Sequence, residues 1–165
     1  MAEQADLEAR IQRLEDIEAI KRLKYKYARC LDCKDWDRLA ECFTEDAVVD
    51  YSQGKFHYEG TKAILQFLTD NLGSHDRITS HQMCQPEIEL TSPTTANGSW
   101  AMRDYVIDKT LNIGVSGAAF YYDEYVKRDG EWRMKSTGYT RIFEEIGGRA
   151  GLTLTAVKEY GTPGT

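Results

Sequence analysis

The chain has 165 residues, of which 41% are hydrophobic and 29% are charged, and its formal net charge is −6. This length and balance predict one globular domain over 1–165, with a core at about 6–146 that needs no disulfide to fold. The acidic balance and the lack of any Lys/Arg run argue against nucleic acid and anionic membrane surfaces as partners. No apolar stretch approaches the ~18 residues of a membrane span. The acidic N-terminus lacks a signal-peptide core, so we expect a cytoplasmic protein.

Apolar residues recur every three or four positions from residue 6 to residue 34, which predicts one or two amphipathic helices. A second, short helix is expected to begin after Asp35 as its N-cap and to end at Thr44-Glu45-Asp46. The apolar stripe of the first helical region comprises Leu7, Ile11, Leu14, Ile17, Ile20, Leu23, Tyr27 and Leu31.

The hydrophobic period then changes from that of a helix to that of a strand. Residues 47–51 predict a strand, 52–55 a turn, and 56–58 a second short strand. A third helix is expected from Thr61, as its N-cap, to Leu72.

The second half of the chain reads as long antiparallel strands. Pro86 is expected at an edge or a bulge, and Asp129-Gly130 predicts a two-residue hairpin. The Gly-rich tail 147–165 is expected to add an edge strand or to pack on a neighbouring subunit. Helices followed by a run of strands predict an α+β fold, in which a strongly bent sheet leaves a cone with an open mouth. The predicted strands are 78–90 (one strand or two), 94–109, 118–128 and 131–143.

The cysteine and histidine spacing does not favour a metal or a redox centre. Cys30 and Cys33 form a C-x-x-C, but no second such pair follows and no strand precedes it, so we expect free thiols. The three histidines lack ligand spacing. We therefore expect neither a metal nor a cofactor, and proton transfer by His, Asp and Tyr is the chemistry that remains.

His81 is the best general base in the sequence. Strand alternation places His81 on one face with Thr79 and Met83, so His81 faces inward if Met83 does. An inward histidine titrates near neutral pH and suits proton transfer, although a satisfied core histidine is an equally simple reading.

Four further polar residues are candidates for the site. Asp104 shares a strand face with Trp100 and Met102, where a carboxylate is costly unless it is paired or protonated. Tyr27 lies on the apolar stripe of the first helix, and a buried tyrosine hydroxyl needs a partner. Asp32 follows five residues later, near the end of the helix, where a helix cap is the simpler interpretation. Tyr51 lies near the end of the first strand and has either a packing role or a pocket role.

At these positions the sequence resembles the SnoaL-like branch of the NTF2-like superfamily, and within it the bile-acid 7α-dehydratases of steroid-metabolising bacteria. The resemblance extends from about Ile17 to Glu145. It is carried by 17–21, 26–32, Tyr51-Ser52-Gln53-Gly54-Lys55, His81 with Pro86-Glu87-Ile88, 94–100 leading to Asp104, 117–121 and 138–145.

The resemblance implies an NTF2-like cone whose pocket is lined by Tyr27, Asp32, His81 and Asp104, with Tyr51 as a further hydroxyl. We also expect substrate contacts from Trp100, Met102 and Phe120.

The implied reaction is loss of water from a hydroxylated 3-oxo-4-ene steroid or a similar cyclic enone. His81 would be the base, oriented by Asp32 or Asp104, and Tyr27 would donate to the enolate oxygen. Either a neutral Asp104 or the protonated His81 would protonate the leaving hydroxyl. A ketosteroid-isomerase-like isomerase, a polyketide cyclase and a non-catalytic binding or structural module are the alternatives on the same fold. A homo-oligomer, with a trimer favoured over a dimer, is expected from the resemblance and from Phe120, Tyr122 and Tyr125 on an outer sheet face.

Overall fold

The computed structural model describes residues 2–161, which form three helices and one six-stranded sheet. No helix within this range is long and apolar enough to cross a membrane. The helices are α1 (Ala2–Cys33), α2 (Trp36–Ala40) and α3 (Thr61–Leu72), and the strands are β1 (Phe43–Tyr51), β2 (Phe56–Glu59), β3 (Arg77–Ser92), β4 (Thr95–Asp108), β5 (Ile113–Arg128) and β6 (Glu131–Gly148).

The strand order is β2-β1-β6-β5-β4-β3, and every neighbouring pair is antiparallel except β1 with β6. Helix α1 packs against β3 and β6, and α3 packs against β1, so the helices cover one face of a curved mixed sheet. This arrangement confirms the α+β cone. Its core lies between the helices and the sheet and includes Ile20, Leu31, Leu39, Val49, Ile64, Trp100, Ala119 and Met134.

Two predicted irregularities of the sheet are confirmed. Pro86 lies on edge strand β3, where the register with β4 shifts between Cys84 and Glu87. Asp129 and Gly130 join β5 to β6 with φ of 52° and 82°, the left-handed backbone that a tight two-residue hairpin requires.

Two local predictions around the second and third helices are wrong. Residues 44–46 do not end α2, because they lie inside β1, which begins at Phe43 and pairs that residue with Met134 of β6. Thr61 is the first residue of α3 rather than its N-cap, which is Gly60. The Thr61 hydroxyl instead donates to the Thr44 carbonyl at 2.7 Å and so ties α3 to β1.

The last two strands are longer than predicted. β5 begins at Ile113 and β6 continues to Gly148, because these two residues pair at the open end of their ladder. The expected edge strand in the tail is wrong for 149–161, which forms no strand, and 162–165 lies outside the described residues. Glu159 holds this tail to the body of the chain through an ion pair with Lys109 at 2.6 Å.

Strands β5 and β6 expose large apolar side chains. Phe120, Tyr122, Ile142 and Ile146 are all exposed, and Ile142 retains 58% of its accessible surface. Tyr125, expected beside them, is instead buried in the core, because odd-numbered residues of β5 face inward at this end of the strand. Exposed apolar side chains on adjacent strands are typical of an association surface.

We expect the chain to form a homo-oligomer through this surface, with three subunits favoured. The substitution Ile142→Glu should shift the assembly towards monomer, because it places a charge where apolar area would be covered. Leu14→Glu is the matched control, since Leu14 is 68% exposed on α1 rather than on the sheet. Light scattering at micromolar concentration measures the mass, and a wild-type monomer would contradict the expectation.

Candidate active site

The end of α1 and the edge strand β3 bring Asp32 and His81 into direct contact. His81 Nδ1 lies 2.6 Å from Asp32 Oδ1, and the His81 backbone N–H donates to Oδ2 at 2.8 Å. The Thr79 hydroxyl donates to Oδ1 at 2.8 Å. The His81 side chain is only 9% exposed, which confirms its inward face. With Nδ1–H donated to the carboxylate, Nε2 is left as the basic nitrogen of the ring.

A cavity of about 220 Å³ opens beside His81. Its wall combines the imidazole with phenol rings from α1, β1, β5 and β6, and its remaining surface is largely aliphatic or aromatic. The lining residues are Tyr27, Leu31, Tyr51, Phe56, Phe67, Leu68, Asn71, Leu72, Arg77, His81, Tyr121 and Tyr139. An apolar cavity with a few converging polar groups is the usual form of a small-molecule site.

The tyrosines of the cavity wall contact one another through hydroxyl groups or through their rings. The Tyr27 and Tyr51 hydroxyl oxygens lie 3.0 Å apart, the Tyr51 and Tyr139 rings stack at 5.4 Å, and the Ser52 hydroxyl donates to the Tyr139 hydroxyl at 3.0 Å. Burial raises the pKa values of Tyr27, Tyr51 and Tyr121 well above 10. At neutral pH these phenols are therefore hydrogen-bond donors to a ligand oxygen.

Asp104 lies directly across from His81 in the β3–β4 ladder. Its carboxylate, however, is bound by the guanidinium of Arg141. Arg141 on β6 donates to Asp104 Oδ1 at 2.6 Å and to Oδ2 at 2.7 Å. A bidentate guanidinium contact is the geometry of an ionised carboxylate. The alternative in which a neutral Asp104 protonates the leaving group is therefore wrong in this structure.

The sequence does not single out Arg141, although the inward carboxylate of Asp104 indicates that a cation lies nearby. A buried carboxylate requires a cation, and the cation is on β6, two strands away from β4. Gly117 on the intervening β5 makes room for the pair, since a Cβ there would lie 2.7 Å from Arg141 Nη1 and 3.2 Å from Asp104 Oδ1. The Arg141 Nε has no hydrogen-bond partner among the described residues.

Three expected substrate contacts lie outside the cavity. Trp100 is buried deeper in the core, where its indole N–H donates to the Tyr125 hydroxyl at 3.0 Å. Met102 is a buried core residue that does not line the cavity. Phe120 is 45% exposed on the opposite face of the sheet. Alternation gives the face of a residue but not its depth in the cone. Phe120 occupies the outer sheet face that was also expected for it, and not the cavity wall.

The cysteines and the potential metal ligands are dispersed. Cys30, Cys33, Cys42 and Cys84 are all free thiols, as expected. Over residues 2–161, no three His, Cys, Asp or Glu side chains come together in a group that could hold a metal ion.

The sequence pattern of the SnoaL-like domain matches residues 12–138, and the chain belongs to this family. A scytalone dehydratase-like protein from Novosphingobium aromaticivorans is 25% identical, with a TM-score of 0.74 and coverage of 92% of this chain and 95% of that one. Hexachlorocyclohexane dehydrochlorinase LinA type 2 is 22% identical, with a TM-score of 0.79 over 89% of this chain and 99% of that one. The LinA type 3 enzyme of Novosphingobium barchaimii is 23% identical, with a TM-score of 0.74 and the same coverage.

The buried phenols predict a loss of stability in alkali. Tyr27, Tyr51, Tyr121 and Tyr125 have pKa values raised by burial above the ordinary 10.0, so the unfolded chain loses these protons first. The free energy of unfolding should therefore keep this contribution up to about pH 10 and lose it as the pH rises further.

Tyrosinate absorbance of the folded protein, with denaturant-unfolded protein as the control, measures this directly. Four of the ten tyrosines should fail to ionise near pH 10 until the chain unfolds. Ionisation of all ten near pH 10 in the folded state would contradict the enclosed phenol wall.

Proposed function

We propose that this member of the SnoaL-like family is a carbon–oxygen lyase that removes water from a hydroxylated cyclic enone by acid–base catalysis. The observation that carries the proposal is the Asp32–His81 pair at the wall of a phenol-lined cavity. The likeness to a scytalone dehydratase-like protein at 25% identity supports a lyase, and the LinA structures support the fold.

His81 is proposed to remove the proton that the enone acidifies. Asp32 accepts from Nδ1, so Nε2 carries the lone pair, and the imidazolium that forms stays beside a carboxylate 2.6 Å away. Two further donors to Asp32, from Thr79 and from the His81 backbone, keep that carboxylate in place. The base is therefore oriented before a substrate arrives.

Tyr27 is proposed to donate a hydrogen bond to the oxygen that becomes negative as the proton leaves. Its neutral hydroxyl is buried in the cavity wall, and Tyr51 lies within hydrogen-bond distance to fix its direction. A preorganised donor in a site closed to water stabilises a developing oxyanion strongly, and one such donor contributes about 10²–10³ in kcat.

His81 is also proposed to protonate the leaving hydroxyl. Because Asp104 is occupied by Arg141, the proton that Nε2 takes from carbon is the one available for return to the departing oxygen. The carbon–hydrogen and carbon–oxygen bonds break, a carbon–carbon double bond forms, and one water leaves. A single base that serves both steps predicts elimination from one face of the ring.

The finer proposal is a substrate of the 7α-hydroxy-3-oxo-4-ene steroid or bile-acid type, or a smaller cyclic enone. The cavity of about 220 Å³ is below the ~300–1,000 Å³ typical of sites for drug-sized ligands. A steroid would therefore place its enone ring system inside and leave the rest of the molecule outside the cavity.

Incubation with a panel of hydroxylated steroids and smaller cyclic enones tests this proposal. We expect a product lighter by one water with its ultraviolet absorption moved to longer wavelength, because the new double bond extends the conjugation. An isomer of unchanged mass would support the isomerase or cyclase reading, and binding without turnover would support a non-catalytic module. Either result would reject the dehydratase.

His81→Ala and Asp32→Asn should both lower kcat without preventing folding. Loss of a general base costs ~10²–10⁴-fold in rate, and Asp32→Asn should cost less because the imidazole remains. His57→Ala is the matched control, since His57 lies on β2 with an exposed side chain. If His81 is only a satisfied core residue, melting temperature falls while activity per folded molecule is retained, and the assignment fails.

Dialysis against EDTA should leave the rate unchanged, because each proposed step uses only Asp32, His81 and Tyr27. The rate before and after dialysis is compared with that after added zinc. A loss of activity that zinc restores would contradict the proposed mechanism.

A further inference from the structure

A lysine and an aspartate form a fully enclosed ion pair behind the cavity. Lys24 lies on α1 one turn before Tyr27, and Asp123 lies on β5 two residues after Tyr121. Lys24 Nζ is 3.0 Å from Asp123 Oδ1 and 2.8 Å from Oδ2, and both side chains are 0% exposed. The Thr137 hydroxyl donates to Oδ1 at 2.6 Å and accepts from Nζ at 3.3 Å.

Stability alone is a weak reason for such a pair. Taking two charges out of water costs free energy that their attraction returns only in part, and well-packed apolar side chains of similar volume are often as stable. The groups that each charge faces are therefore the better guide to its role.

The ammonium of Lys24 faces the phenol wall of the cavity. Its Nζ lies 3.7 Å from the centroid of the Tyr121 ring and 5.0 Å from that of the Tyr27 ring, both within the range of a cation–π contact. Both rings line the cavity, and the Tyr27 hydroxyl is the group expected to meet a negative oxygen. A positive charge thus stands against the rings that carry the donors.

The carboxylate of Asp123 is bound by Lys24 and Thr137 and, in addition, by Tyr125. Its Oδ2 accepts from the Tyr125 hydroxyl at 2.5 Å, and that hydroxyl accepts from the Trp100 indole N–H at 3.0 Å. Neither Tyr125 nor Trp100 lines the cavity. Burial lowers the pKa of the Lys24 ammonium and Asp123 opposes that shift, so the carboxylate helps to keep the lysine charged.

We propose that Lys24 is a positioning residue of the active site, whose ammonium, held by Asp123 against the rings of Tyr27 and Tyr121, strengthens the hydrogen bond from the Tyr27 hydroxyl to an anionic oxygen in the cavity. A positive charge at the ring face draws electron density from the phenol, and the full burial of Lys24 leaves its field poorly screened. This inference rests on the proposed oxyanion-binding role of Tyr27.

The neutral pair Lys24→Gln/Asp123→Asn removes both charges while keeping side chains of similar size that can hydrogen-bond. We expect kcat to fall by about tenfold, less than the ~10²–10³ for loss of a direct donor, with KM nearly unchanged. In a Tyr27→Phe background the same exchange should cause no further loss, because the lysine acts through that hydroxyl. Tyr125→Phe is the control, since it removes a hydrogen bond to Asp123 on the side away from the cavity and should leave kcat unchanged.

A readout that needs no turnover uses 4-nitrophenol, whose absorbance reports its own ionisation. Binding to the wild-type cavity should lower the apparent pKa of the probe, and the neutral pair should abolish most of that shift. If no enone is converted but the neutral pair removes the shift, the dehydratase fails and the role of Lys24 stands.

An unchanged kcat and an unchanged probe shift in the folded neutral pair would overturn the proposal, as would additive losses with Tyr27→Phe. If the neutral pair does not fold, Lys24→Met/Asp123→Leu takes its place in both measurements. Failure of both pairs to fold would assign the charges a purely structural role and would also overturn it.

Discussion

The carboxylate of Asp32 is the point at which the helical layer and the sheet meet to form the site. It accepts from the Thr79 hydroxyl, from the His81 backbone and from His81 Nδ1, so every donor belongs to β3 while the acceptor belongs to α1. The same contact therefore fixes the last turn of the helix against the edge strand and selects the tautomer of the imidazole. Because Tyr27 lies on that helix, its phenol is placed in the cavity wall by the interaction that orients the base.

Buried ion pairs also join separate elements of the cone, and two of them lie near the site. Asp104 on β4 meets Arg141 on β6 across Gly117 of β5, and Lys24 on α1 meets Asp123 on β5. A buried charge is stable only beside its partner, so these strands must keep their register if the two ion pairs are to form. The result is a cavity lined mainly by phenols, apolar side chains and one imidazole, with Arg77 in its wall, beside buried charges that are each held by a partner. Such fixed charges are what electrostatic catalysis requires.

The sequence was informative where a pattern depends on neighbouring residues and less so where it depends on strand order. Alternation placed His81 and Asp104 inward, and the motif around Asp129-Gly130 gave the hairpin. It could not give Arg141, which reaches Asp104 across an intervening strand, nor Lys24, which sits on a helix among charged neighbours and reads there as an exposed residue. Trp100, Met102 and Phe120 were wrong as cavity residues because a face does not specify depth, and because β5 turns Phe120 outward.

The proposed chemistry requires Asp32 to hold His81 with its proton on Nδ1, which leaves Nε2 free as the base in the cavity. Nitrogen-resolved NMR of the imidazole side chains near neutral pH tests it most directly, with Asp32→Asn as the comparison. We expect neutral His81 to be the Nδ1-protonated tautomer in the wild type, and this preference to be lost in the variant. A neutral His81 protonated on Nε2 in the wild-type protein would contradict it.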